Sequence, residues 1–248
     1  MLQPHIQLDV SMSAKYAILP GDPARVLRAA QQMEQVEELA FNREYRSVRG
    51  TYQGVPILVM STGMGGPSTA IGVEELHNIG VQAAIRIGSC GALQKGIGLG
   101  DLILVQGAVR DDGASKTYLP PQFPALADAG LLRCCALSAK ALGAPYHVGI
   151  ARTHDGFYTD EEDQISETWS RRGILGSDME TAALFTVAHL RGMKAASILN
   201  NVVLWGESTA DGVGSYAGGA DKTAIGERNE ITVALEALVR LDRGEGLV

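Results

Sequence analysis

Short apolar runs alternate with longer amphipathic stretches along most of this chain. The segments 16–19, 46–52, 57–61, 83–87, 102–109, 147–151 and 195–203 are short and rich in apolar, often β-branched residues, and predict strands. Helical spacing predicts helices over 23–33, 67–79, 129–142, 161–172, 180–191 and 222–241. The last places Ile225, Ile231, Val233, Leu235, Leu238 and Val239 mostly on one face, as for a helix covering a sheet. Gln53-Gly54 between the second and third strands reads as a hairpin turn. Strands alternating with helices predict a single three-layer α/β/α domain over 1–248 around a mixed sheet, with ligands beyond the strand ends. The segment 206–220 is rich in Gly, Ser and Ala. It reads as a mobile loop over the site or as a compact surface loop without a role.

One strand is interrupted by a charge. Ala84-Ile85-Arg86-Ile87-Gly88-Ser89-Cys90-Gly91-Ala92 carries an arginine in an apolar run and then enters what reads as a glycine turn. A buried charge needs a fixed partner of opposite sign. Glycines beside it let the backbone approach a ligand and present N–H groups. Either a bound anion or an internal carboxylate satisfies such an arginine. A second segment favours the anion. In Leu19-Pro20-Gly21-Asp22-Pro23-Ala24-Arg25-Val26, Asp22 sits at an N-cap position and Pro23 at the first helical one. Arg25 then falls in the first turn, where the helix dipole disfavours a cation, and an anion bound near Gly21 accounts for it.

Composition narrows the possible partners. The formal net charge of −7 argues against nucleic acid or an anionic membrane surface, so an anionic substrate must be held by local arginines. No run reaches the roughly 18 apolar residues of a membrane span, and the N-terminus has no basic-then-apolar signal pattern. The three cysteines, Cys90, Cys134 and Cys135, give neither a disulfide framework nor zinc spacing. A cytoplasmic location is expected. Cys90 reads as a small packing residue rather than a nucleophile.

Four ordered motifs resemble one family. Pro20-Gly21-Asp22-Pro23 with Arg25, Ser61-Thr62-Gly63-Met64-Gly65-Gly66-Pro67-Ser68, Arg86-Ile87-Gly88-Ser89-Cys90-Gly91-Ala92 and Asp178-Met179-Glu180-Thr181-Ala182 are similar to those of the trimeric/hexameric nucleoside phosphorylases. The uridine phosphorylase branch is resembled further through Val109-Arg110-Asp111-Asp112-Gly113-Ala114-Ser115 and Asp155-Gly156-Phe157-Tyr158. The resemblance implies a partly barrel-like central sheet and phosphate-dependent cleavage of a ribonucleoside. It implies inorganic phosphate as co-substrate, no organic cofactor, and a homo-oligomer, a dimer at minimum and a hexamer when fully assembled. Gly21, Arg25, Arg86 and Ser89 are then phosphate ligands. Arg43 joins them from the neighbouring subunit, and His5 crosses the dimer to the ribose. Ser89, Met179 and Glu180 also serve the ribose, with Arg86 and Glu180 carrying the chemistry. Glu44, Met64 through its carbonyl, and Ser68 match a potassium site at the dimer interface; such oxygen donors suit a hard cation. Asp178 stands where the family has Glu, one methylene shorter.

The base-reading residues depart from the family. Uridine phosphorylases follow Phe-Tyr with Gln-x-Arg, whereas Phe157-Tyr158 is followed by Glu161 and Asp163 at the matching places, acceptors where uracil carbonyls require donors. The acid with which purine phosphorylases protonate the base is absent as well: Val203 stands near its place, and no acid follows until Glu207. Gly91 and Phe157 remain to line the base, with Asn200, Asn201 or Arg152 as donors. A pyrimidine is favoured over a purine, since uracil can leave with its charge spread over two carbonyls. A hydrolytic nucleosidase would not need the arginines, and a nucleoside-binding protein without turnover would not need Glu180.

Overall fold

The apolar runs become strands of one ten-stranded mixed sheet in this computed structural model, which describes residues 1–217 and 221–246. A 3-10 turn at Val10–Met12 leads into β1 (Tyr16–Pro20), α1 (Pro23–Ala30), β2 (Glu34–Asn42), β3 (Tyr45–Tyr52), β4 (Val55–Met60), α2 (Gly66–Asn78) and β5 (Ala83–Ala92). There follow β6 (Leu102–Asp111), α3 (Ala114–Tyr118), β7 (Ala125–Leu126), α4 (Ala129–Leu142), β8 (Tyr146–His154) and α5 (Glu162–Ser170). The chain continues through β9 (Gly176–Asp178), α6 (Thr181–Leu190), β10 (Lys194–Val203), α7 (Thr209–Ala217) and α8 (Asp221–Asp242).

The strand order is β10-β6-β8-β9-β5-β1-β4-β3-β2, and β10 also pairs with β5. That extra pairing closes β10, β6, β8, β9 and β5 into a small barrel, while β1, β4, β3 and β2 extend from β5 as an open wing. β5 serves both because it is long. Ala83 to Ile87 pair with β1, Gly91 and Ala92 with β9, and nearly the whole strand with β10. Alternation along β1 shows the layering: Ala17 and Leu19 face one core, Tyr16 and Ile18 the other. α2 and α6 cover the first face through Leu76, Leu184 and Phe185, and α1, α4 and α8 the second through Val26, Leu131 and Leu235. The three layers are those expected.

Several elements differ from the sequence reading. The strand expected to end at Ile87 continues through Ala92, so Gly88 and Gly91 do not turn the chain. Gly88 is required for a different reason: a Cβ there would lie 2.4 Å from the Arg86 guanidinium, which folds back over it. β2 was not legible because its Glu-rich stretch is exposed and bulged, with Gln35 at φ 51°. It is an edge strand guarded by charge, and Glu38 and Glu37 pair across it with Arg46 and Arg49. α1 stops three residues early, and Ile225 is exposed rather than on the covered face of α8. Within 206–220, residues 209–217 form α7 rather than a loop, and 218–220 lie outside the described residues. The hairpin at Gln53-Gly54 is present, both residues at positive φ. All three cysteines are free and buried.

Candidate active site

Arg86 sits on the barrel strand β5 and is nearly fully buried. Its Nε donates to Asp178 Oδ2 at 2.9 Å, and its terminal nitrogen forms an ion pair with Glu180 Oε2 at 2.6 Å. The internal-carboxylate reading of this arginine is therefore realised, and by two acids. Asp178 is held from every side: Thr153 Oγ1 donates to Oδ1 at 2.7 Å, and the Thr181 N–H and hydroxyl donate to Oδ2. Asp178 thus takes the Glu180 and Thr181 N–H groups at the start of α6 while fixing the arginine, a double use that the sequence reading missed. Its place just before a helix start was the available signal. Glu180 Oε1 accepts the Gly65 N–H at 2.7 Å, which ties the loop before α2 to this centre. Burial pushes the Glu180 carboxyl above its ordinary range against the pull of Arg86. Met179, between the two acids, is half-buried, as is Ser89, opposite Asn200 in the register of β5 and β10.

The turn after β1 is built as the sequence indicates. Asp22 accepts the Ala24 N–H at 2.8 Å, and Pro23 opens α1. Gly21 lies close to Gly63, whose carbonyl a Cβ would approach to 3.2 Å. Arg25 reaches inward from α1, and its first-turn position is explained by acids on α8. Nε donates to Glu227 at 3.0 Å, and NH1 lies 3.4 Å from Glu230 and donates to the Ile87 carbonyl at 3.3 Å. Neither Glu227 nor Glu230 figured in the sequence reading. Their signal was two acids three residues apart, running into the apolar stripe of a helix. Gly21, Arg25, Gly65, Arg86 and Glu180 thus lie around the C-terminal end of β1 and the middle of β5, and an α/β sheet places its ligands beyond strand ends.

His5 and Arg43 belong to another surface. The His5 ring pairs through Nδ1 with Glu75 on α2, whose carboxylate also takes the N–H groups of His5 and Ile6. Arg43 is exposed at the tip of the β2–β3 hairpin in a left-handed conformation, φ 55°. Asn42 joins the two by donating to the His5 carbonyl at 2.8 Å. Next to them Ser68 Oγ bonds the Glu44 carboxylate and the Thr62 carbonyl, and this hydroxyl holds the Glu44 carboxyl below its ordinary range. Phe41 and Met64 are 60% and 85% exposed on either side of this hairpin and loop.

In the base region Asn200 and Asn201 are completely buried, and their amides donate to the carbonyls of Thr223 and Gly98. Both amide N–H groups hold backbone in place, while the buried Asn200 Oδ1 has no hydrogen-bond partner. Arg152 is paired with Asp111 at 2.7 Å across β6 and β8. Phe157 is half-buried with Tyr158 edge-on to it, Gly91 lies against Val203, and Glu161 and Asp163 face solvent. Glu207 is also exposed, beside a cleft of about 340 Å³ between β10 and α7. Cys90 is buried and its thiol is pushed up by burial, with Asp178 adding to the rise, which fits a packing role.

Comparison with known proteins bears on this geometry. The chain is 40% identical over 209 residues to the uridine phosphorylase of Thermococcus kodakarensis, covering 79% of this chain and 76% of that one. The crystal structure of uridine phosphorylase from Vibrio fischeri superposes with a TM-score of 0.90 at 47% identity, covering 96% of this chain and 97% of that one. A purine nucleoside phosphorylase from Toxoplasma gondii, solved with immucillin-H, superposes with a TM-score of 0.89 at 33% identity, covering 98% and 97%. The model of the phosphorylase superfamily matches residues 15–203, and the chain belongs to that superfamily.

Proposed function

We propose that this chain is a nucleoside phosphorylase that transfers the ribosyl group of a pyrimidine nucleoside, uridine first, to inorganic phosphate, releasing free base and ribose 1-phosphate. The observation that carries the reading is Arg86, fixed between Asp178 and Glu180 two residues before Gly88, with Arg25 bonded to the Ile87 carbonyl beside it. A phosphate nucleophile is already anionic, so positioning and electrostatics supply most of the catalysis. Gly21, Arg25, Arg86 and Ser89 hold it beneath the anomeric carbon. The sugar passes through an oxocarbenium-like state, as in glycoside hydrolysis. Glu180 accepts hydrogen bonds from the ribose hydroxyls, bonds that strengthen as the ring gains positive charge, while Met179 packs against the sugar. Phe157 and Gly91 line the base. Val203, which stands near the place of the purine-protonating acid, has no proton to give, and this favours uracil.

A panel of nucleosides assayed with and without phosphate tests the reading. Uridine is expected to turn over at least about tenfold faster than inosine or adenosine, and only when phosphate is present. Inosine or adenosine in the lead would move the assignment to a purine phosphorylase, the reading that the Toxoplasma likeness supports. Equal turnover without phosphate would make the protein a nucleosidase, and binding without turnover a nucleoside-binding protein.

The active unit in this reading is a dimer, three of which form a hexamer, in the cytoplasm. Among the described residues no helix is long and apolar enough to cross a membrane. Arg43 and His5 act in the neighbouring subunit. Exposed Phe41 and Met64 beside Arg43 support this, since apolar side chains left in solvent around a charged hairpin tip suit a contact between subunits. Glu44 and Ser68 offer adjacent oxygens of the kind potassium takes, with Met64 contributing its carbonyl. Arg43→Ala and Arg86→Ala proteins are each expected to be inactive. Mixed under subunit exchange, they should recover about a quarter of wild-type sites, because one site of each mixed dimer receives both arginines. No recovery after verified exchange would place Arg43 in its own subunit's site or outside any site.

A further inference from the structure

Glu230 is a buried acid that the mechanism above leaves unused. It lies on α8, 0% exposed, among Ile231, Ala234 and Leu235. Oε2 accepts the Gly88 N–H at 3.1 Å; Oε1 is 3.4 Å from Arg25 NH1 and makes no hydrogen bond. An oxygen buried without a donor is unfavourable as part of a carboxylate and well suited to carrying a proton. The charges facing it come from α1 (Arg25), from α8 itself (Glu227, which also binds Arg28) and from β5 (Arg86, with the Cys90 thiol nearby). Burial pushes the Glu230 carboxyl up to about 8, against Arg25 and with Glu227 adding to the rise.

Charge balance then matters. Arg25 and Arg86 are already faced by Glu227, Glu230, Asp178 and Glu180. A phosphate dianion brought to the same two guanidinium groups and the same Gly88 N–H adds two negative charges where negative charge is already in excess. Close like charges of this kind cannot all stay ionised in a buried place. Of the four acids, Glu230 touches both the arginine and the N–H that the anion needs, and its Oε1 is buried without a hydrogen bond.

We infer that Glu230 is a positioning residue of the phosphate site whose protonation is coupled to occupancy. Resting on the phosphorylase reading, the step is a simple one: a proton from solvent adds to Oε1, and no other bond forms or breaks. The neutral acid releases Arg25 and the Gly88 N–H to the phosphate oxygens. Binding of a dianion is then independent of pH below about 8, where Glu230 already carries its proton, and weakens up to about tenfold per pH unit above it, where a proton must be acquired with each anion.

Sulfate is the probe, because it stays a dianion throughout this range. Calorimetric titration of the wild-type protein at pH 8.5, in buffers of different ionisation enthalpy, is expected to show uptake of about three-quarters of a proton per sulfate, with the dissociation constant rising from pH 8 to 9.5. The Glu230→Gln protein, checked for an unchanged thermal melt at pH 7, is expected to bind sulfate without that uptake and with a flat pH profile. Glu180, the other buried acid with a raised pKa, stays in place in this variant and is thereby separated. Wild-type binding without proton uptake, or equal uptake in Glu230→Gln, overturns the inference and leaves the phosphorylase reading intact. Failure of both sulfate and phosphate to bind the wild-type protein at any pH removes the phosphate site, and this inference with it.

Discussion

Replacing Arg86 by alanine is expected to lower kcat/KM for phosphorolysis by about two to three decades, the usual cost of removing one donor from a buried oxyanion clamp. The same change should also cost stability. Asp178 keeps Thr153 and Thr181, but Glu180 is left buried with only the Gly65 N–H. Stranding one member of a buried ion pair typically costs about 3–5 kcal/mol. Steady-state kinetics and a thermal melt read the two effects. Adding Glu180→Gln to Arg86→Ala should recover much of the stability and none of the activity, since the stranded charge is gone while the phosphate ligand is still missing. An Arg86→Ala enzyme within tenfold of wild type would deny Arg86 its place in the site.

Glu180→Gln alone is expected to act on the chemical step. In the proposed function its carboxylate accepts hydrogen bonds that tighten as the ribose becomes cationic, and a neutral amide supplies less of that stabilisation. kcat should fall by more than KM rises, by about two decades. Stability should fall little, because the substitution retains the shape of the side chain and removes an ionised group whose burial is unfavourable. Wild-type kcat in this variant would return Glu180 to being simply the acid at the start of α6.

How far the sequence foretold this arrangement depended on how local each signal was. The cap at Asp22, the proline after it and the apolar runs of β1, β5 and β10 are written in neighbouring residues, and the structure has them where the pattern places them. The pairing of Arg86 was half legible: the charge in an apolar strand demanded a partner, but Asp178 lies 92 residues away and meets it only because β9 is hydrogen-bonded to β5. β9 itself is three residues long and has no periodicity to detect. Closure of the barrel rests on β10 pairing with β5, a contact between strands that no local pattern encodes. Asn200 and Asn201 show the same limit. Polar residues near a strand end suggest a ligand, yet these two serve backbone carbonyls of segments that only the tertiary fold brings near.

β5 belongs to barrel and wing at once, and this constrains how such a protein can diversify. A slip of one residue would turn Arg86 away from Asp178 and disturb pairing with β1, β9 and β10 together, so the strand bearing Arg86 has no tolerated intermediate between working and broken registers. Change is open instead to segments outside that shared framework. The exposed stretch 158–163, where the base-reading pattern departs, and the edge hairpin bearing Arg43 can vary without moving Arg86. One anion-holding framework can therefore carry many nucleoside preferences, each written in loops that the framework does not need in order to fold.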